Sequence, residues 1–292
     1  MTTQVAVPFD GSDPSRLAIA YAFEQFPDAE VTVFHVVKPF PDHTKAGGHT
    51  GRKHARVFED RRRLLADAVA DGADRPGGVR TVLVYGRPRD EVPRYIMAKG
   101  FDEVVMGSRG LSGTVNRFFG SVSRAVIRRT PVPVTILRAD LAEDDLIRHP
   151  RNRRVLVPFD ESPRARDALS YAFTRFPDAD VTALVVATTE AEANRIVTWG
   201  DGDETTGWAA PKTDGGGVLE SAQRIADRHE RPLSIATDSG DSGADLATWV
   251  RDSDIDHVVV GRSPVGRLRS MLKGPLAETA VSRVSVPVTV VP

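Results

Sequence analysis

Residues 107 to 121, GSRGLSGTVNRFFGS, place Gly107, Gly110 and Gly120 in a G-x2-G-x9-G-S arrangement that ends on Ser121. Glycine lets backbone N–H groups come close to an oxyanion. A helix opening at Gly120 and Ser121 would add unpaired N–H groups, the positive end of a helix dipole and a serine hydroxyl. The chemistry this favours is phosphate binding. The alternative is that the glycines only turn the chain and that Ser121 is an ordinary helix N-cap. A second candidate group comes earlier, where the strand-like VAVPFD ends on Asp10 and is followed by Gly11 and Ser12. Asp10 suits a hydrogen-bond acceptor, a ligand of a divalent metal accompanying phosphates, or a cap on the helix that begins at Asp13.

An altered twin of the glycine-rich turn follows Gly261, reading GRSPVGRLRSMLKGP. Gly261 and Gly274 keep their places, but Pro264 stands where the first turn has Gly110 and Pro275 where it has Ser121. Each proline removes a backbone N–H, and Pro275 also removes the hydroxyl. Two lost hydrogen bonds to a charged group weaken binding by roughly 3–6 kcal/mol, a hundredfold or more. Arg262, Arg267, Arg269 and Lys273 crowd the twin. They form either a phosphate-holding set of point charges or a solvated face. Asp160 occupies the position of Asp10.

Other chemistries find little support. With no cysteine in the chain, disulfides, thiolate nucleophiles and cysteine-held metals or clusters are excluded. The patterns G-x-x-x-x-G-K-[ST], G-x-G-x-x-G after the first strand and G-x-S-x-G are missing, which argues against a Walker-type NTPase, a dinucleotide binder and a nucleophile-elbow hydrolase. His43, His49 and His54 match no common metal spacing and read as a solvated loop. His35 and His257 lie in or beside apolar strands and read as satisfied core or strand-end residues. Arg61, Arg62 and Arg63, followed by LLADAV, read as the exposed and buried faces of one helix. A net charge of −1 excludes non-specific attraction to nucleic acid or to a membrane surface.

These candidate groups need a scaffold, and the 292-residue chain supplies it twice. Residues 5 to 32, VAVPFDGSDPSRLAIAYAFEQFPDAEVT, recur without gaps as residues 155 to 182, VLVPFDESPRARDALSYAFTRFPDADVT. DEVVMG and PVTI of the first half recur as DHVVVG and PVTV at an offset of 154. Two duplicated domains follow, 1–140 and 154–292, with a polar, charged linker over 141–153 whose character extends back to residue 138. In each half, short Val- and Ile-rich runs alternate with helix-period stretches, the pattern of a parallel sheet covered on both faces. Strands are predicted near 4–8, 30–37, 79–85, 102–107 and 132–137, then 154–158, 180–187, 233–238, 255–260 and 286–291. First-half helices are predicted over 13–26, 53–71, 88–99 and 120–129, with Pro93 expected to split the third. Residues 188–217 predict a mobile loop, for which the first half has the shorter, His-bearing 38–52. Residues 1–150 hold 22 basic and 19 acidic side chains, against 17 and 21 in residues 151–292, so the first half suits a polyanion better. Neither an 18-residue apolar run nor a signal-like start is present, which predicts a soluble, cytoplasmic protein.

The G-x2-G-x9-G-S spacing, the opening strand through Pro8 and Asp10, and the closing PVPVTIL together resemble the universal stress protein family, in its ATP-binding branch. The resemblance covers essentially the whole chain as two tandem copies. It implies an α/β fold of two Rossmann-like, adenine nucleotide α-hydrolase-like domains, each a five-stranded parallel sheet in the order 3-2-1-4-5 flanked by helices. Carried over, Asp10 and the neighbouring backbone at Pro8 hold the adenine and ribose side of ATP, and the main chain of Val36 faces the adenine. Gly107 lies against the ribose, while Gly110, Gly120, Ser121 and the N–H of Val122 hold the phosphates, with Mg2+ a possible companion. The resemblance further implies that closing strands pair between protomers. Duplication then suggests an internal pseudo-dimer, with a homodimer of chains also open. The expected role is a stress-response or regulatory binder of adenine nucleotide. Neither a general base nor an arginine finger aimed at a γ-phosphate stands out. A nucleotide-independent interaction scaffold and a slow ATP-hydrolysing enzyme are the other two readings.

Overall fold

The alternation of large apolar residues along each strand determines how the helices are distributed. In a computed structural model, residues 2–39, 50–108, 120–138, 141, 153–187, 217–239, 246–262 and 284–292 are described. The chain divides into two compact units, Met1–Pro150 and Arg151–Val291. In the first, β1 (Gln4–Pro8), β2 (Glu30–Val37), β3 (Val79–Tyr85), β4 (Glu103–Gly107) and β5 (Val134–Leu137) are parallel and ordered β3-β2-β1-β4-β5. Val5, Val7, Val31, Val33, Val105 and Leu137 point to one face. There they meet Leu17, Ala18 and Tyr21 of α1 (Asp13–Gln25) and Leu65 of α2 (Thr50–Ala68). On the other face Phe34 is fully buried, its ring 4.7 Å from that of Tyr95 on α3 (Pro88–Lys99). Helix α3 in turn packs on α4 (Ser121–Arg129). The winding therefore reverses between β1 and β4, which opens a crevice at their carboxyl ends.

Helix α3 runs unbroken through Pro93, contrary to the expected split. Pro93 is buried with Val92 and Ile96, so packing outweighs the one i→i−4 hydrogen bond it removes. Leu141, placed in the linker by its polar surroundings, packs against the first core instead. Of the long loops between β2 and α2 and after residue 187, nearly all residues lie outside those described, as do His43 and His49.

The second unit repeats the plan with β6 (Arg154–Phe159), β7 (Asp180–Ala187), β8 (Ser234–Ser239), β9 (His257–Gly261) and β10 (Val288–Val291), ordered β8-β7-β6-β9-β10. Its described helices are α5 (Pro163–Arg175), α6 (Val218–Arg228) and α7 (Leu246–Asp252). The duplication extends to register. Val5 pairs with Val31 as Val155 pairs with Val181, and Val5 faces Glu103 as Val155 faces His257. Among the described residues no helix is long and apolar enough to cross a membrane.

His257 is fully buried, with Nε2 2.8 Å from Thr289 Oγ1 and its ring 4.7 Å from that of Phe176. Burial, and then Arg153 and Arg175, push its pKa well below the usual 6.5. The folded chain thus holds a neutral imidazole where the unfolded chain takes up a proton as the pH falls below 6.5. Stability is fully present above that pH and is expected to fall by about 1.4 kcal/mol per pH unit below it. Denaturant titrations between pH 7.5 and 5 should show this slope, and His257→Gln should flatten it.

Candidate functional site

The β1–α1 loop and the described ends of the β4–α4 connection, Ser108 and Gly120, lie at the crevice of the first unit. The β1–α1 loop is shaped by Asp10, whose Oδ1 accepts hydrogen bonds from the Ser12 N–H at 3.1 Å and the Ser12 hydroxyl at 2.6 Å. Ser12, not Asp10, is the N-cap of α1, so of the roles open to Asp10 the helix cap is the one the structure removes. Asp160 accepts from the Ser162 N–H in the same way, so this turn belongs to both copies. Gly11 has φ +89°, a conformation that a side chain would strain. From below, Phe9 N–H donates to Phe34 O at 2.8 Å, and His35 Nδ1 donates to Phe9 O at 2.8 Å. Burial lowers the pKa of His35, outweighing the raising effect of the Phe9 bond, so the ring is neutral near pH 7. Val36 follows, buried at the end of β2, and Pro8 closes β1 opposite Phe34.

The β4–α4 turn is tied at the Ser108 carbonyl. It accepts from the Gly120 N–H at 2.8 Å and from the Ser123 hydroxyl at 3.0 Å, and Ser123 Oγ also lies 3.1 Å from Gly120 O. Ser108 itself donates its N–H to Leu137 O at 2.7 Å. This knot brings the first turn of α4 to the end of β4. Gly120 is the N-cap of α4 with φ −74° and ψ 155°, and no described side chain caps the helix. Ser121 is the first helical residue and is exposed, so it is not the N-cap. The first i→i−4 bond of the helix runs from Arg124 N–H to Gly120 O, which leaves Ser121 and Val122 among the N-terminal donors without an intrahelical partner.

One expectation changes here, and one glycine gains a packing reason. The N–H of Gly120 is engaged by Ser108 O, so among the described residues of the motif it is Ser121 and Val122 that keep N–H groups outside the helix ladder. Gly107 has a packing reason to be glycine: a Cβ there would come within 2.7 Å of Pro14 Cβ and 2.9 Å of the Pro14 carbonyl carbon. Gly261 faces the equivalent Arg164, with the carbonyl carbon 2.5 Å from such a Cβ and the carbonyl oxygen in direct collision. Close approach of the first helix therefore accounts for the glycine in both copies. Sequence reasoning missed Ser108 and Ser123, although the GSVS that opens α4 carries a serine in the position to reach back. Gly110, Pro264, Arg267, Arg269, Lys273, Gly274 and Pro275 lie outside the described residues.

Among the described residues, no group of three or more His, Cys, Asp or Glu converges. Asp10 is the carboxylate of the loop. A divalent ion accompanying a polyphosphate would take this one protein ligand and complete its shell with phosphate and water oxygens, a set that suits Mg2+.

Comparison with known proteins adds independent support for the fold. The universal stress protein family model matches residues 1–138 and again 151–292. A universal stress protein of Mycobacterium tuberculosis is 28% identical over 305 residues, covering 98% of this chain and 96% of its own. One from Mycolicibacterium smegmatis is 27% identical over 297 residues, with the same coverages. Among solved structures, a universal stress protein from Archaeoglobus fulgidus superposes with a TM-score of 0.67 at 19% identity, covering 98% of this chain and 97% of that one. With the family matched twice and in tandem, this chain belongs to the universal stress protein family.

Proposed function

We propose that the first copy binds ATP in the crevice between the β1–α1 loop and the start of α4, and that the second copy is a degenerate partner. The observation that carries this reading is the start of α4: an N-terminus that no described side chain caps, tied to the strand end through Ser108 and presenting the N–H groups of Ser121 and Val122 and the Ser121 hydroxyl. Donors and dipole there favour phosphate oxygens. Asp10 and the main chain at Pro8 and Val36 would hold the nucleoside side, with Gly107, bare for packing, lying against the ribose and Gly110 and Gly120 keeping side chains out of the path of the phosphates. Mg2+, where it accompanies the phosphates, supplies charge neutralisation beside Asp10. The second copy keeps the aspartate turn and the strand-end glycine, but Pro264 and Pro275 delete donors in its motif.

The chain is a binder whose nucleotide occupancy serves a stress-response or regulatory role in the cytoplasm. His35 and Asp10 are engaged in holding the loop, which suits retention of nucleotide more than turnover. Calorimetric titration of the full chain with ATP and magnesium is expected to give close to one site per chain. Two equal sites, or none, would overturn the reading.

A further inference from the structure

Arg61, Arg62 and Arg63 do not share one environment. Arg62 Nη1 lies 4.0 Å and Arg63 Nε 3.5 Å from Glu59, the spacing of ordinary exposed helix pairs. Arg61 makes no such pair among the described residues. It also belongs to a different stripe. Residues 57, 61, 64 and 68 follow one another at helical spacing along α2, and Leu64 and Ala68 carry that stripe into the first core.

Because α2 leads from the end of β2 back to the start of β3, its earlier residues lie nearer the ligand-bearing edge of the sheet. Leu64 sits beside the β1–α1 loop, where a Cβ on Gly11 would be 3.5 Å from Leu64 Cδ2. Three residues earlier, about 4.5 Å along the axis at 1.5 Å per residue, Arg61 lies past the strand ends and above Asp10 and Gly11. One turn further out, Phe58 stacks on Tyr85 at 6.4 Å between centroids, which anchors that part of the helix to the end of β3. Arg61 is thus exposed on an inward-facing stripe because the sheet has ended beneath it. The charges of Arg61 and Asp10 both act on the His35 ring, with opposite sign, as expected when they face the same space.

We propose that Arg61 is a cation of the ligand site, its guanidinium turning over the Asp10–Gly11 loop onto phosphate oxygens and favouring phosphorylated nucleosides over free nucleosides. The proposal rests on the nucleotide reading above. A phosphate chain that leaves a nucleoside held at Asp10 and runs toward α4 passes this carboxylate, and a neighbouring cation offsets the repulsion it meets. Guanidinium suits phosphate because its donors form a planar fork, and Arg61 has no ion pair among the described residues to break first.

The test is calorimetry on the full chain with ATP, ADP, AMP and adenosine, for wild type, Arg61→Gln, Arg61→Lys and Arg62→Gln. Arg61→Gln is expected to weaken ATP about tenfold and AMP less, with adenosine unchanged. Arg61→Lys should recover part of the loss, and Arg62→Gln should match wild type. Equal losses for ATP and adenosine, equal effects of Arg61→Gln and Arg62→Gln, or no effect of Arg61→Gln would overturn the assignment. In the ligand-free protein, NMR titration of His35 should show its pKa rising in Arg61→Gln. An unmoved His35 would equally overturn it. A wild type that binds none of the four overturns the nucleotide reading and this assignment with it, and that outcome is distinct from binding that ignores Arg61.

Discussion

Replacing Ser121 by proline is expected to lower ATP affinity at least about a hundredfold while leaving the fold in place. The substitution installs in the first copy the residue that the second carries as Pro275. Ser121 is the first residue of α4, a position where proline is tolerated because its N–H has no intrahelical partner. Gly120, with φ −74° and ψ 155°, already holds the extended conformation that a residue before proline requires. The variant therefore removes one N–H and one hydroxyl, each about 1.5–3 kcal/mol toward a charged ligand, without a matching penalty in helix stability. Calorimetry reads the affinity and thermal melting reads the fold. Ser121→Ala, which removes the hydroxyl alone, should fall between wild type and Ser121→Pro. Wild-type affinity in Ser121→Pro would move the phosphate away from this helix.

The second large effect is on stability. Gly261→Ala is expected to cost about 3 kcal/mol or more, and Gly107→Ala about 1–2 kcal/mol, in denaturant unfolding. The order follows from what each new methyl group meets. At Gly261 the obstacle is the main-chain carbonyl of Arg164 in the first turn of α5, which moves only with the helix. At Gly107 it is the Pro14 ring and the adjoining carbonyl carbon, at slightly greater distance. Gly261→Ala should leave ATP binding by the first copy intact. Gly107→Ala with full stability but lost ATP would mean that the glycine serves the ligand and not the packing.

Much of the scaffold is legible from residue type and spacing. Parallel strands buried on both faces read as short Val and Ile runs, and β2, β3 and β7 occupy the predicted ranges. The strand order 3-2-1-4-5 came through family resemblance, since periodicity carries no information about neighbours. The site is only partly legible. Asp10 and Ser121 stand out by type, yet the partner of the Gly120 N–H is set by Ser108, twelve positions earlier and across a turn. The reason for Gly107 lies in Pro14, 93 residues away and on a different element. Pro93 misled in the other direction, because a local rule about hydrogen bonding yielded to burial that only the assembled unit reveals.

The matched collisions at Gly107 and Gly261 let the molecule serve as its own control. Whatever both repeats share at this bend is what chain geometry demands, with or without cargo. Whatever differs has been released from one requirement while the other persisted. By that subtraction the strand-exit glycine belongs to architecture, and the helix-opening serine is left as the feature that a bound anion would need.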